Sequence, residues 1–165
     1  PVYTLMTSTS SLTAAADLAT RAGHPDIVWR EGLLADAGQR LGAERYDLVY
    51  TGIGALCWLP DIRRWAAVVA GLLRPGGRLF IREGHPMLWT INEKRSDAVV
   101  VEYPYFETIE PYVEDDAGTY VDTGGTVFAT TVTHTWNHGL GEVATALIDA
   151  GMAITGLVEH DSVPW

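Results

Sequence analysis

The residues from Tyr46 to Arg82 constrain the fold most, because they are typical of a strand, a helix and a strand in close succession. The run 46–51 is nearly all apolar, as in the buried strands of parallel sheets. From Pro60 onwards, apolar residues recur at spacings of three and four, which predicts an amphipathic helix. Pro75-Gly76-Gly77 ends that helix, and 78–82 supplies the second strand. This order predicts a parallel β-α-β unit.

The same alternation continues on both sides of this unit. Upstream, the pattern predicts a strand over 2–7, a helix over 12–22 and a short strand over 26–30. Downstream, it predicts a helix over 140–150 and a strand over 153–159. The chain is therefore expected to be α/β, with helices on both faces of a doubly wound, mostly parallel sheet.

An irregular segment, 86–135, interrupts this alternation after the strand that ends at Arg82. It is acidic and rich in aromatic residues, and Gly124-Gly125 between β-prone stretches predicts an antiparallel hairpin that ends at 132–136. Ligands of open α/β sheets bind outside the carboxyl ends of the strands. An insertion that leaves from such an end is expected to form a lid over a pocket there.

Composition excludes several classes of function. The chain of 165 residues is sufficient for one domain, 1–165, and its 21 acidic and 11 basic residues give a formal charge of −10. That balance argues against a nucleic-acid partner, because phosphate recognition depends on Lys and Arg. Cys57 is the only cysteine, so neither an internal disulfide nor a cysteine-rich metal site is expected.

The chain carries no sign of a membrane segment or a secretory leader. No apolar stretch approaches the roughly 20 residues that span a bilayer, and the first residues lack a basic region before an apolar run. A cytoplasmic location without membrane partners is therefore the expectation. Because the sequence begins at Pro1, an internal start is also expected.

Two motifs carry a resemblance to a known family. Tyr46-Asp47-Leu48-Val49 and, after the helix, Leu73-Arg74-Pro75-Gly76-Gly77 lead into the strand that follows. This pair resembles the fourth strand, following helix and fifth strand of class I S-adenosylmethionine (SAM) methyltransferases. The segments 53–60 and 136–142 are similar to those of actinobacterial-type enzymes that act on small molecules. The resemblance extends over nearly the whole chain and implies a Rossmann-like methyltransferase fold.

The sequence departs from the family at its cofactor anchors. The acidic residue and Gly-x-Gly-x-Gly loop that follow the family's first strand are absent, and so is its final strand, which makes the implied sheet incomplete at both ends. Met6 and Leu33 stand where the family places acidic residues, and neither side chain accepts hydrogen bonds from ribose or adenine as a carboxylate does. Truncation and degeneration both remain open as explanations.

The resemblance implies methyl transfer from SAM to an O or N atom of a small-molecule acceptor. The small residues after the strand 46–51 allow the backbone to approach the cofactor closely, and Trp58 can meet the sulfonium by cation–π attraction. The residues predicted to bind the cofactor are Thr51, Gly52, Ile53, Gly54, Leu56, Trp58 and Leu34. A nicotinamide dinucleotide is the less favoured alternative, since Gly52-x-Gly54 lacks the third glycine.

Catalysis and acceptor binding are assigned to the region from residue 85 onwards. His85 follows the predicted fifth strand and is the candidate general base, with a backbone-bonded loop histidine as the alternative. The candidate walls of the acceptor site are Trp89, Tyr103, Tyr105, Phe106 and His138. No metal is expected, because Gly139 prevents the helix that would place His134 and His138 on one face.

A second function stays open beside the enzyme. The missing glycine loop, Met6 and Leu33 favour a non-catalytic methyltransferase-like module that acts as a partner or a scaffold. Loss of a central strand leaves backbone groups of its neighbours unpaired, which is costly when they are buried. The chain is therefore expected to form a homo-oligomer or to belong to a larger assembly.

Overall fold

The computed structural model describes residues 2–116, 124 and 130–162. The strands are β1 (Tyr3–Met6), β2 (Val28–Glu31), β3 (Tyr46–Gly52), β4 (Leu73–Arg82), β5 (Tyr112–Asp115) and β6 (Val132–Thr135). The helices are α1 (Thr9–Arg21), α2 (Ala37–Leu41), α3 (Ile62–Leu72) and α4 (Leu140–Asp149), with short 3-10 turns at Leu34–Asp36, Leu56–Trp58 and Leu88–Thr90. The chain is α/β, as predicted.

The chain divides into two compact units. The first unit contains the described residues up to Thr51, together with Arg63–Ile81 and Ala146–Ala153. The second unit contains the described residues of Gly52–Ile62 and Arg82–Thr145, and those from Ile154 onwards. Each unit is described by itself below.

In the first unit, β1, α1 and β2 form the predicted parallel β-α-β unit. The strands pair in parallel, from Tyr3 opposite Val28 to Met6 opposite Glu31. The helix begins after Ser8, whose hydroxyl oxygen accepts a hydrogen bond from the Ser11 amide at 3.3 Å, as an N-cap serine does. The predicted strand–helix–strand order over 2–30 is confirmed, although the helix begins at Thr9 and not at residue 12.

The first unit also contains the paired strands β3 and β4. The helix α3 ends at Leu72 and β4 begins at Leu73, earlier than the predicted start at Arg78. Pro75 has no amide hydrogen to continue a helix, and Gly76 has a φ of +78°, which glycine adopts without strain. The backbones come very close at Gly77, where a Cβ would lie 2.8 Å from the Tyr46 carbonyl oxygen.

The close approach at Gly77 makes a specific stability prediction. In Gly77→Ala the new methyl group meets the carbonyl oxygens of Tyr46 and Arg74, at 2.8 and 2.9 Å, so the backbone has to shift. We expect a loss of ~1–3 kcal/mol in the free energy of unfolding, measured by urea denaturation. Gly71→Ala in α3 is the matched control, since a Cβ there meets nothing within 4 Å, and it should be neutral or stabilising. Equal effects of the two substitutions would contradict the prediction.

The core of the first unit lies along one face of α3. Trp65 is the largest of its buried side chains, with only 1% of its surface exposed. The other buried apolar residues of this unit are Ala37, Ala66, Val69, Leu72, Leu73, Ala146 and Leu147. Their three- and four-residue spacing along α3 is the amphipathic pattern from which the helix was predicted.

The second unit contains the antiparallel pair β5 and β6. Tyr112 lies opposite Thr135, and Asp115 opposite Val132, as expected for the predicted hairpin. Of its predicted turn, Gly124 has a φ of +58°, and Gly125 lies outside the described residues.

Two predictions about the sheet need correction. The described strands pair as three two-stranded sheets, β1-β2, β3-β4 and β5-β6, and not as one doubly wound sheet. The segment 153–159 was predicted as a strand, yet it has no regular structure and is exposed throughout. Ile154 and Val158 have the β-branched side chains of a strand, but a strand forms only where a neighbour offers its backbone groups.

In the described part of the chain, no helix has the length and apolar character to cross a bilayer.

Candidate functional site

The turn after β3, Gly52–Ala55, has a backbone shape suited to binding an anion. Gly54 has a φ of +76°, in the left-handed region, and Ala55 follows in the right-handed helical region. Successive left- and right-handed residues point their amide hydrogens to one side and form a concavity that attracts negative charge. A 3-10 turn, Leu56–Trp58, then leads towards α3.

The carboxylate of Glu83 fills this concavity. Its Oε2 accepts a hydrogen bond from the Gly54 amide at 2.6 Å, and its Oε1 accepts one from the Ala55 amide at 3.0 Å. Glu83 directly follows β4, so the ends of β3 and β4 are joined through one side chain. The sequence did not indicate Glu83, although an acidic residue directly after a strand of a β-α-β unit is a recognisable signal.

Cys57 lies in the 3-10 turn that follows, and its thiol is half-buried. Its Sγ donates a hydrogen bond to the Gly54 carbonyl oxygen at 3.4 Å. Burial, followed by the negative charge of Glu83, raises the pKa of Cys57 to about 11. The thiol therefore stays protonated at neutral pH.

This environment predicts slow chemical modification of Cys57. Because the thiolate is the nucleophile and a free cysteine has a pKa of about 8.5, we expect alkylation by iodoacetamide at pH 8 to be at least ~100-fold slower than for a peptide thiol. The rate should rise as the pH approaches about 11, the pKa of Cys57. Mass spectrometry of the folded protein, with urea-unfolded protein as control, measures the difference. Equal rates in the two samples would contradict a protected thiol.

His138 binds the backbone of the residues that follow this turn. Its Nε2 lies 3.1 Å from the Leu56 carbonyl oxygen and 2.8 Å from that of Leu59, so Nε2 carries a hydrogen. Its Nδ1 lies 2.9 Å from Oε2 of Glu107, outside hydrogen-bond geometry, which makes this contact an electrostatic one. Only 5% of His138 is exposed. It was predicted as a wall of the acceptor site, but its ring faces protein atoms on both sides and has an internal role.

Two glutamates extend the anchoring to the starts of α3 and α4. Oε2 of Glu107 accepts a hydrogen bond from the Ile62 amide at 2.9 Å and so caps α3. Oε2 of Glu142 accepts hydrogen bonds from the Gly139 amide at 2.7 Å and the Glu107 amide at 3.1 Å. The segment between β3 and α3 is therefore held by Glu83, His138 and Glu107.

The predicted aromatic walls fall into two groups. Tyr105 is structural, because its hydroxyl oxygen accepts a hydrogen bond from the Leu140 amide at 3.1 Å and its ring packs against Gly139. Tyr103 contacts Tyr112, with ring centroids 4.7 Å apart. Trp89 packs against Gly84 yet stays partly exposed, and Phe106 is 64% exposed. Trp89 and Phe106 have the free ring surface that a ligand contact needs.

His85 is exposed, and both of its ring nitrogens have partners. The Met87 amide donates a hydrogen bond to Nδ1 at 3.1 Å, and Nε2 lies 2.7 Å from Oε1 of Glu159. A general base needs a free lone pair, whereas the Nδ1 lone pair of His85 already accepts a backbone hydrogen bond. A role as base therefore requires rearrangement around Met87 or Glu159.

The residues predicted to bind the cofactor differ in their accessibility. Ile53 and Trp58 are exposed, with 55% of Trp58 accessible. Thr51, Gly52, Gly54 and Leu34 are half-buried. Leu56 is buried in the second unit, so only its backbone can serve a ligand.

The first unit has an open depression at the carboxyl ends of β1 and β2. Its volume is about 490 Å³, and it is lined by Thr7, Glu31, Gly32, Leu33, Asp36 and Arg40. Glu31 accepts a hydrogen bond from the Thr9 hydroxyl at 2.9 Å. The sequence pointed to Met6 and Leu33 here and missed Glu31, which ends the neighbouring strand. In the part of the chain that the structure describes, no group of three metal-ligating side chains converges.

Comparison with solved structures identifies the architecture. An S-adenosylmethionine-dependent methyltransferase from Mesorhizobium loti is 23% identical over 94% of this chain and 64% of its own, with a TM-score of 0.63. A candidate S-adenosylmethionine-dependent methyltransferase from Listeria monocytogenes is 16% identical over 99% of this chain and 68% of its own, with a TM-score of 0.72. The chain has the fold of SAM-dependent methyltransferases. It spans about two thirds of the length of these two proteins.

A third protein with the methyltransferase fold has been solved with its ligands. The glycopeptide N-methyltransferase MtfA with S-adenosyl-L-homocysteine is 17% identical over 94% of this chain and 64% of its own, with a TM-score of 0.56. It has also been solved with SAM and with sinefungin. No family model matches this chain, and no curated protein matches it. The methyltransferase resemblance inferred from residues 46–81 is thus confirmed at the level of the fold.

Proposed function

We propose that this chain is a SAM-dependent methyltransferase that acts on an O or N atom of a small-molecule acceptor. The observation that carries the proposal is the methyltransferase fold, matched over 99% of the chain with a TM-score of 0.72. In the reaction the acceptor atom attacks the methyl carbon, the carbon–sulfur bond breaks, and sulfur keeps the electron pair. The acceptor loses its proton to a base, so the protein mainly has to align the two reactants.

The proposed cofactor contacts centre on the turn after β3. Thr51, Gly52, Ile53 and Gly54 offer backbone groups, and Leu56 does so through its main chain only. The exposed indole of Trp58 provides a ring face for a sulfonium cation. In the first unit, Leu34 remains a proposed contact. The complexes of MtfA with SAM and S-adenosyl-L-homocysteine support a cofactor of this chemistry on this fold.

Within the first unit, Glu31 gives the depression a group suited to ribose. A carboxylate accepts hydrogen bonds from two neighbouring hydroxyl groups, which Met6 and Leu33 are unable to do. Glu31 already accepts a hydrogen bond from Thr9 and lies where β2 ends. Glu31 is therefore proposed to supply the carboxylate for adenosine that Met6 and Leu33 do not provide.

For the acceptor, the proposal keeps the exposed aromatic residues of the insertion. Trp89 and Phe106 supply apolar ring surface, and residues 86–135 are proposed to cover the acceptor as a lid. His85 is proposed as the base that takes the acceptor's proton, once its Nδ1 is released from the Met87 amide. His138 and Tyr105 are left out, because both are engaged with the backbone of their own unit.

Isothermal titration of the whole chain with S-adenosyl-L-homocysteine tests the cofactor part. We expect micromolar affinity, and we expect Glu31→Gln to weaken it. Glu44→Gln is the matched control, because Glu44 is also exposed in the first unit but lies away from the depression. Absence of heat at millimolar ligand would overturn the proposal.

The same titration separates the enzyme from a non-catalytic module. Met6 and Leu33 at the positions of the family's usual anchors favour a module that has lost its cofactor. Such a module should bind neither S-adenosyl-L-homocysteine nor SAM. Pairing of two copies stays a prediction, which the molar mass from light scattering decides.

A further inference from the structure

We infer that Glu83 is a positioning residue, an internal carboxylate that holds the turn Gly52–Ala55 in the shape required for cofactor contact. This inference rests on the proposed function for the identity of the ligand. The hydrogen bonds of Glu83 do not depend on that function. Two oxygens of one carboxylate accept hydrogen bonds from two successive amides, at 2.6 and 3.0 Å. Bidentate binding fixes the orientation of both peptide planes, whereas a single bond would leave one free to rotate.

The local backbone explains why a charged acceptor is needed. Gly54 is in the left-handed region, and its amide and that of Ala55 converge on one point. Two convergent N–H groups present a concentrated positive potential, and an anion stabilises them more strongly than a neutral oxygen. Water could bind these amides, but it would not link them to the end of β4. Glu83 thus ties the turn to the residues that directly follow β4.

The anchoring matters for a ligand because it removes the cost of ordering the turn. A loop that is held in its binding shape before the ligand arrives does not lose conformational entropy on binding. The backbone of Gly52 and Ile53, directly before the two bound amides, is then held in a fixed shape. The contacts of His138 with the Leu56 and Leu59 carbonyl groups fix the backbone that directly follows the turn.

Three variants of the full chain separate the possible roles of this carboxylate. Glu83→Gln keeps the size of the side chain but places an NH2 group against an amide N–H, so one of the two hydrogen bonds becomes repulsive. Glu83→Ala removes both acceptors and leaves space for a small carboxylate. Glu93→Gln is the control, because Glu93 is an exposed glutamate of the same unit, away from the turn. All three are titrated with S-adenosyl-L-homocysteine, and amide hydrogen exchange is measured at Gly54 and Ala55.

We expect Glu83→Gln and Glu83→Ala to weaken S-adenosyl-L-homocysteine binding ~10-fold and to speed exchange at both amides. Addition of acetate should restore the affinity of Glu83→Ala and leave Glu83→Gln unchanged, because only the alanine variant has room for a free carboxylate. A purely structural carboxylate would lower the melting temperature while the folded molecules keep their affinity. That result would overturn the inference.

The two readouts distinguish failure of the inference from failure of the proposed function. If the wild-type chain binds S-adenosyl-L-homocysteine and the variants bind it equally well, the positioning role is wrong and the function stands. If the wild-type chain does not bind, the proposed function is wrong and the positioning role for a cofactor falls with it. Unchanged amide hydrogen exchange at Gly54 and Ala55 in both variants would show that the Glu83 carboxylate does not hold these two amides.

Discussion

Trp65→Ala is expected to lower the free energy of unfolding by about 3–5 kcal/mol. The indole is 1% exposed and is the largest of the fully buried side chains of the first unit. Its replacement by a methyl group loses the transfer free energy of the ring and leaves a cavity that neighbours such as Val69 fill only in part. For a chain of this size, the melting temperature should fall by roughly 10 °C.

Urea denaturation followed by far-ultraviolet circular dichroism measures this effect. Trp65→Phe should recover part of the loss, because a smaller ring fills part of the same space. The matched control is Trp58→Ala, which removes a tryptophan that is 55% exposed and should cost about 1 kcal/mol or less. If the two alanine variants were equally stable, α3 would not provide the core of its unit.

The two β-α-β units could be predicted because their signals are local and mutually consistent. The apolar face of α3 recurs at helical spacing within one segment. Residues 46–81 combine such signals with a family motif, so the fold was accessible from a single stretch of sequence. In each case, the residues that decide the structure lie close together in the chain.

The predicted strand 153–159 shows where local signals fail. Ile154 and Val158 favour extended structure, but pairing depends on backbone groups supplied by another segment. The described residues of this region are exposed and have no regular structure. The prediction of one continuous doubly wound sheet was wrong for the same reason, because the sequence of a strand does not determine which other strand it pairs with.

The anchors of the candidate site were missed because they are long-range polar contacts. Glu83 lies 29 and 28 positions from the two amides that it binds, and Glu107 lies 45 positions from Ile62. A single glutamate in an irregular segment has no periodicity that would reveal its partner. His138 was assigned to a pocket because histidines often line one, and only the structure shows which carbonyl groups meet its ring.

The second large effect is expected at His138, where His138→Leu should cost about 3 kcal/mol in the free energy of unfolding. Leucine fills a similar volume but has no donor, so the carbonyl groups of Leu56 and Leu59 lose their side-chain partner. Glu107 also loses its 2.9 Å contact with Nδ1. A single substitution therefore removes a hydrogen-bond donor from one buried and one part-buried carbonyl group.

A double-mutant cycle with Glu107→Gln tests whether His138 acts through this pair. If the two side chains interact across this contact, their effects should be non-additive, with a coupling of ~1 kcal/mol or more, since interacting neighbours couple by about 0.5–3 kcal/mol. His134→Leu is the matched control, because His134 is exposed on β6, and it should change stability by less than about 0.5 kcal/mol. Strict additivity would show that the contact between His138 and Glu107 carries no stabilisation. Because Glu107 also caps α3, Glu107→Gln should lose some helix stability that His138→Leu retains. Only the loss in the free energy of unfolding that the two variants have in common is assigned to the contact between His138 and Glu107.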